Sequence, residues 1–268
     1  MKLLHISDLH YLVQYQKGPG LSSYQSIFPH MPSPLRQLDR CLRQMGESER
    51  DALEGVLISG DLTENGTAAD YERLRRELED RFPRIPIIVT PGNHDNRREF
   101  YQGWLGQCGN DDPYCRSVRI GPLSVLSLDN SSPEHPNGEI SASLCCWIQD
   151  AAEEEKNRTI LLMTHHHLLS QQAAFPACCL DSAFSEVLSK HPVAMILCGH
   201  THQLYRGFYE GTPYRTTMSL SFVGQEQDGA TCMRSSCGYS LYDFDQGQLT
   251  SERHEAIGPQ SVLGYVKF

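Results

Sequence analysis

Five stretches of this chain carry side chains able to do metal chemistry, and each follows an apolar run. They are Asp8-Leu9-His10, Gly60-Asp61, Gly92-Asn93-His94-Asp95, His165-His166-His167 and Gly199-His200-Thr201-His202. Carboxylate, imidazole and amide donors together suit a borderline divalent ion such as manganese, iron, cobalt or zinc, whereas calcium calls for mostly oxygen donors. Two such ions are expected. A bridging carboxylate holds two cations about 3.5 to 4 Å apart, so that a phosphoryl oxygen can bind across both. Asp61 is the natural bridge. An isolated Asp-x-His or Gly-Asp says little, Gly-Asn-His-Asp behind a strand says more, and all five in this order say most.

The elements that must position these groups can be read from pattern. Leu3 to Ile6, Gly55 to Ser59, Ile85 to Val89, Thr159 to Met163 and Val193 to Cys198 are β-rich runs, each ending in a polar cluster. Between them lie stretches that predict helices: Leu35 to Met45, Thr67 to Arg81, Ser141 to Glu155 and Leu180 to Lys190. After His202 short strands are expected at Tyr205 to Tyr209, Tyr214 to Met218, Tyr239 to Phe244 and Gln248 to Arg253. Residues 11–34, rich in Tyr, Gly, Pro and Ser, predict a long loop. Its Tyr11, Tyr15, Tyr24 and Phe28 are expected to be exposed, as a lid over the site or as an oligomer contact, a dimer included.

Bulk properties limit the partners. The 268 residues are expected to form one domain, 1–268, with no Pro/Ser linker or repeat to divide it. A net charge of -10 argues against strong nucleic-acid binding, which rests on Lys and Arg displacing counterions. No run of about 18 apolar residues is present to cross a membrane, and polar groups interrupt the N-terminal run MKLLHISDLH, so a cytoplasmic protein is expected. None of the ten cysteines forms a CxxC pair, which favours reduced thiols; Cys108 with Cys115 or Cys232 with Cys237 are spaced for a loop disulfide in an oxidising compartment. His30, His135, His191 and His254 read as ordinary hydrogen-bonded histidines.

The ordered set of motifs resembles the calcineurin-like metallophosphoesterase signature over residues 8–202. The resemblance implies an α/β fold, a four-layer α/β/β/α sandwich of two packed mixed sheets flanked by helices. It implies that Asp8, His10 and His202 hold one divalent ion, that Asn93, His165 and His200 hold the second, and that Asp61 holds both. His165 aligns as the ligand of its triplet, with His166 the alternative. His94 is implied as the catalytic histidine that binds no metal, with the neighbouring Asp95 able to orient or charge its ring. The implied reaction is hydrolysis of a small-molecule phosphoester by a metal-bridging hydroxide, His94 assisting the leaving group. Leu128-Asp129-Asn130, Gly138, Leu144 and Trp147-Ile148 are similar to the class III cyclic nucleotide phosphodiesterase branch. Phosphomonoesterase or nuclease activity, or a non-catalytic metal-binding scaffold, are the competing readings.

Overall fold

Side chains alternate in direction along a strand, so a strand buried on both faces sends successive apolar residues into two different layers. The computed structural model describes residues 1–227 and 229–267. One five-stranded sheet orders Gln248–Ala256, Gly238–Asp245, Lys2–Ile6, Leu53–Ser59 and Ile87–Thr90. A six-stranded sheet orders Tyr205–Tyr209, Thr212–Thr216, Met195–Cys198, Thr159–Thr164, Leu123–Leu128 and Cys115–Ile120. Leu3, Leu57 and Ile88 of the first sheet meet Val125, Leu161, Met163 and Leu197 of the second in the central layer. Their neighbours Leu4, Ile6, Val56 and Ile58 point the other way, onto the helices Pro34–Met45, Ala68–Arg81 and Arg97–Leu105. Ile160, Leu162 and Ile196 likewise meet the helices Ala142–Glu154 and Ala183–Lys190. The result is the helix–sheet–sheet–helix sandwich that the sequence implied.

Within both sheets the strands that carry the polar clusters run parallel: Lys2–Ile6 with Leu53–Ser59 and Ile87–Thr90, and Thr159–Thr164 with Met195–Cys198. Parallel strands end on one edge, and in open α/β sheets that carboxyl edge is where ligands sit.

A buried histidine in the first strand has a consequence for stability. His5 shares the inner face with Leu3, is fully buried, and its Nε2 lies 2.8 Å from Ser59 Oγ. Burial, reinforced by nearby His254, lowers its pKa from 6.5 to about 3. The unfolded chain therefore takes up a proton that the folded one refuses, and stability falls as pH drops below 6.5 towards 3. This one group should remove about 2 kcal/mol between pH 6.5 and 5. Urea unfolding of chelator-treated protein at pH 7.5 and 5 should show a steeper loss for the wild type than for His5→Gln. Equal losses would rule out this assignment.

A third sheet of three strands, Phe222–Gln227, Ala230–Ser235 and Val262–Val266, lay outside the sequence expectation. It explains the loop at 11–34, whose aromatic residues are not the exposed set expected. Ile27, Phe28 and Met31 are buried against Phe222, Met233, Leu263 and Val266, with Tyr15 and Tyr24 partly buried beside them. Tyr15 stacks on Phe28 with ring centroids 5.7 Å apart, and Tyr11 is buried in the main core instead. The segment is thus packed into the protein as one wall of the site. All ten cysteines are free; Cys237 lies against Cys41, with their sulfurs 3.6 Å apart, rather than against Cys232.

Candidate metal centre

The polar clusters fold back at the carboxyl edge through unusual backbone. Asp8, His10, Asp61, His200 and His202 all have positive φ, between 47° and 69°. Non-glycine residues in this region are strained and gather at functional sites. Gly60, at φ 97°, is required twice, because a Cβ there would also collide with the His165 ring.

Two donor groups that share Asp61 result, and His10, Glu64 and His94 make a third set of neighbouring donors beside them. Asp8, His10, Asp61 and His202 form one, all buried; Asp61, His165 and His200 form the other, and within each group the donor atoms lie within 4.8 Å of one another. Asp61 belongs to both. Its Oδ2 is 3.5 Å from His10 Nε2 and 3.3 Å from His165 Nε2. His202 Nε2 lies 3.4 Å from Asp8 Oδ1 and 3.3 Å from His10 Nε2. Asn93 Oδ1 sits 3.1 Å from His165 Nε2, so it borders the second group. His166 instead turns to Asn130, its Nδ1 being 3.1 Å from the amide oxygen.

The donor set fits a bound metal. Asp8 Oδ2 and His200 Nε2 are buried with no hydrogen-bond partner among the described residues, and such orphaned atoms are costly unless something else satisfies them. Burial, with the neighbouring imidazoles, lowers the pKa of His200, and it lowers that of His202 to about 4. Both rings are therefore neutral at pH 7, as ligation requires, whereas His165, which burial would lower, is raised to about 9 by Asp61 and Asp8, so a metal binding there displaces a proton. Burial pushes Asp8 up to about 6 in spite of His165, with Asp61 adding to the rise. Burial acts to raise Asp61 too, but His165 and His94 outweigh it and hold that carboxylate ionised.

His94 lies beside both groups. Its backbone N–H donates to Asp61 Oδ1 at 2.9 Å, and its ring Nδ1 is 3.1 Å from Glu64 Oε1. Burial would lower its pKa, yet Asp61 and Glu64 raise it to about 9. Glu64 also meets His10 Nδ1 at 2.7 Å, and its two histidine hydrogen bonds bring it to about 2 against the pull of burial. The sequence reading overlooked Glu64. The signal was available: an acidic residue three positions after Asp61 in Gly60-Asp61-Leu62-Thr63-Glu64. Asp95 does not orient the ring. Its carboxylate accepts from the backbone N–H groups of Leu62, Thr63 and Gly92 at 3.0, 3.0 and 2.9 Å, and from Tyr71 Oη at 2.8 Å. Asp95 pins two site loops together, and its effect on His94 is through space.

Sandwich and donor groups together define a metal-binding hydrolase scaffold, and comparison with known proteins makes the class specific. The chain belongs to the calcineurin-like phosphoesterase family, whose model matches residues 1–204. It is a metal-dependent hydrolase of phosphoesters of the phosphodiesterase kind. It is 28% identical over 226 residues to a cAMP/cGMP dual specificity phosphodiesterase of Mycobacterium tuberculosis, covering 82% of this chain and 68% of that protein. A glycerophosphodiester phosphodiesterase of Enterobacter lignolyticus is 25% identical over 271 residues, covering 98% of this chain and 89% of that protein. Among solved structures, a purple acid phosphatase from yellow lupin superposes with a TM-score of 0.54 at 12% identity, covering 94% of this chain and 53% of that one. A hypothetical protein from Thermus thermophilus gives 0.53 at 15% identity, covering 96% and 99%. These two likenesses concern the fold alone. No helix of the described residues is long and apolar enough to cross a membrane.

Proposed function

We propose that the chain hydrolyses phosphodiesters, cyclic nucleotides among them, at a centre of two divalent ions drawn from manganese, iron, zinc and cobalt. Asp8, His10 and His202 hold one, Asn93, His165 and His200 the other, and Asp61 both. The observation that carries this reading is the pair of buried donor groups sharing the Asp61 carboxylate. When bound there, the ions supply Lewis acidity and a water nucleophile available near neutral pH. The chain supplies the rest. Asp8 and Asp61 bring two negative charges against four positive ones, so the site favours an anionic phosphodiester. Glu64 accepts from His94 Nδ1, which leaves Nε2 as the nitrogen that carries a proton to the leaving oxygen. The Glu64 carboxylate hydrogen-bonded to Nδ1 favours the protonated ring that this step requires. Water enters the bond being broken, and the proton from His94 completes the alcohol product.

Support for cyclic nucleotides comes from the relatives named for that activity, and the glycerophosphodiesterase relative is the competing guide. Wild-type protein loaded with manganese should hydrolyse bis(p-nitrophenyl) phosphate, and EDTA should abolish the activity. At matched metal loading, 3′,5′-cyclic AMP should exceed linear alkyl diesters and monoesters in kcat/KM by about tenfold or more, a difference of about 1.4 kcal/mol in the transition state. Flat activity across that panel would overturn the cyclic nucleotide preference and leave the broader phosphodiesterase assignment standing.

A further inference from the structure

Beside His202 a cleft of about 230 Å³ opens, bounded by Gln203, Leu204, Met218, Val223, Gln225, Ser236 and Gln260. Pockets that take a whole drug-sized molecule run from roughly 300 to 1,000 Å³, so this one suits a single ring system. It begins at a side chain of the first donor group, so a molecule whose phosphorus sits at the metal centre can extend a substituent into it.

The lining is informative by its chemistry. No lining residue is a lysine, arginine, aspartate or glutamate. A second phosphate would need a cationic wall, and a quaternary ammonium headgroup would need a carboxylate or an aromatic cage. Leu204, Met218 and Val223 provide apolar contact; Val223 and Gln225 stand two apart on one strand and so share its face. Three side-chain amides, of Gln203, Gln225 and Gln260, each offer donors and an acceptor, and none has a protein partner among the described residues. Ser236 adds a buried hydroxyl with no hydrogen-bond partner among the described residues. An alkyl chain would leave these polar groups without use. A neutral heteroaromatic ring uses both kinds of wall, its faces on the apolar residues and its edge on the amides, as glutamine amides pair with adenine.

We infer that this cleft is the subsite for the nucleobase of the substrate, an inference that rests on the cyclic nucleotide reading above. It assigns Leu204 and Gln225 to specificity, where nothing in the metal motifs would place them.

Adenosine, which has base and ribose but no phosphorus, reads the cleft apart from the chemistry. Titrated calorimetrically into metal-loaded protein, it should bind saturably to the wild type. Leu204→Asp, which sets a charge against the ring face, and Gln225→Ala should each weaken that binding by about tenfold, the scale of one lost contact. Leu204 and Gln225 are exposed, and a thermal melt will report whether each variant is folded. Absence of adenosine binding to the wild type, or an unchanged Kd in both folded variants, overturns the inference. Failure of the wild type to hydrolyse 3′,5′-cyclic AMP, measured in parallel, bears on the cyclic nucleotide reading, whereas adenosine binding bears on the cleft. The two failures are therefore distinguishable.

Discussion

His94→Ala should lower kcat by about 10²- to 10⁴-fold on a diester whose leaving group is an alkoxide, with metal content unchanged. The ring belongs to neither donor group that shares Asp61, and its Nδ1 is held by Glu64 at 3.1 Å. The hydrogen bond from His94 to a ligand is made by its backbone N–H to Asp61 Oδ1, which alanine keeps, and its ring only rests edge-on against that of His10, with centroids 4.8 Å apart. What the variant loses is the protonated imidazole. An alkoxide is a poor leaving group and needs the proton, while p-nitrophenolate departs with little help, so the loss should be clearly smaller on bis(p-nitrophenyl) phosphate. Glu64→Gln should fall between the wild type and His94→Ala, because it keeps the ring but removes the carboxylate that holds and charges it. The measurements are kcat on both substrates and metal stoichiometry by mass spectrometry. Equal losses on the two substrates, or loss of metal, would show that His94 works as a structural residue and not as an acid.

Much of this site was legible because its residues follow strands that are nearly continuous apolar runs. Leu3 to Ile6 or Leu161 to Met163 can hardly be other than central strands, and whatever follows them lands on one edge. The parts that escaped depend on partners distant in the chain. Tyr24 and Phe28 look exposed in a loop without period, yet Phe28 packs on Phe222, with ring centroids 5.9 Å apart, nearly two hundred positions away. Nothing local to either residue announces that contact. The small sheet that provides Phe222 was missed because its strands are half-covered and its alternation is broken by Gly224. The helix Arg97–Leu105 is a different case, since Asn96 caps it through Glu99 N and Gly106 ends it in the left-handed region. Those signals stand in the sequence directly behind the Gly92-Asn93-His94-Asp95 motif, in a stretch to which the periodicity assigns no element. Asp95 and Glu64 exchanged roles for a related reason: adjacency to His94 suggested Asp95, but the turn aims that carboxylate at backbone N–H groups while Glu64 reaches the ring from another loop.

Asp61→Asn should cost more than any other single change, since Asp61 is the one residue common to both donor groups. Asparagine keeps the volume and can still accept from His94 N, so the fold should survive. It removes the charge that faces His10 and His165, at 3.5 and 3.3 Å, and with it the anion shared between two cations. Loss of an outer-shell partner alone typically costs 10- to 100-fold in metal affinity, and a shared ligand should cost at least about 100-fold for each ion. Activity on bis(p-nitrophenyl) phosphate should fall by about 10³-fold, the upper scale for removing one electrostatic support of a transition state. Asp8→Asn is the informative contrast. Asp8 belongs to the first group only, so that variant should keep the ion held by Asn93, His165 and His200 while losing the other. Dialysed samples should therefore hold two ions in the wild type, one in Asp8→Asn and fewer than one in Asp61→Asn. Wild-type stoichiometry in both variants, or the same loss in both, would mean that the two groups are not joined through Asp61. The second ion would then have to be bound without that carboxylate.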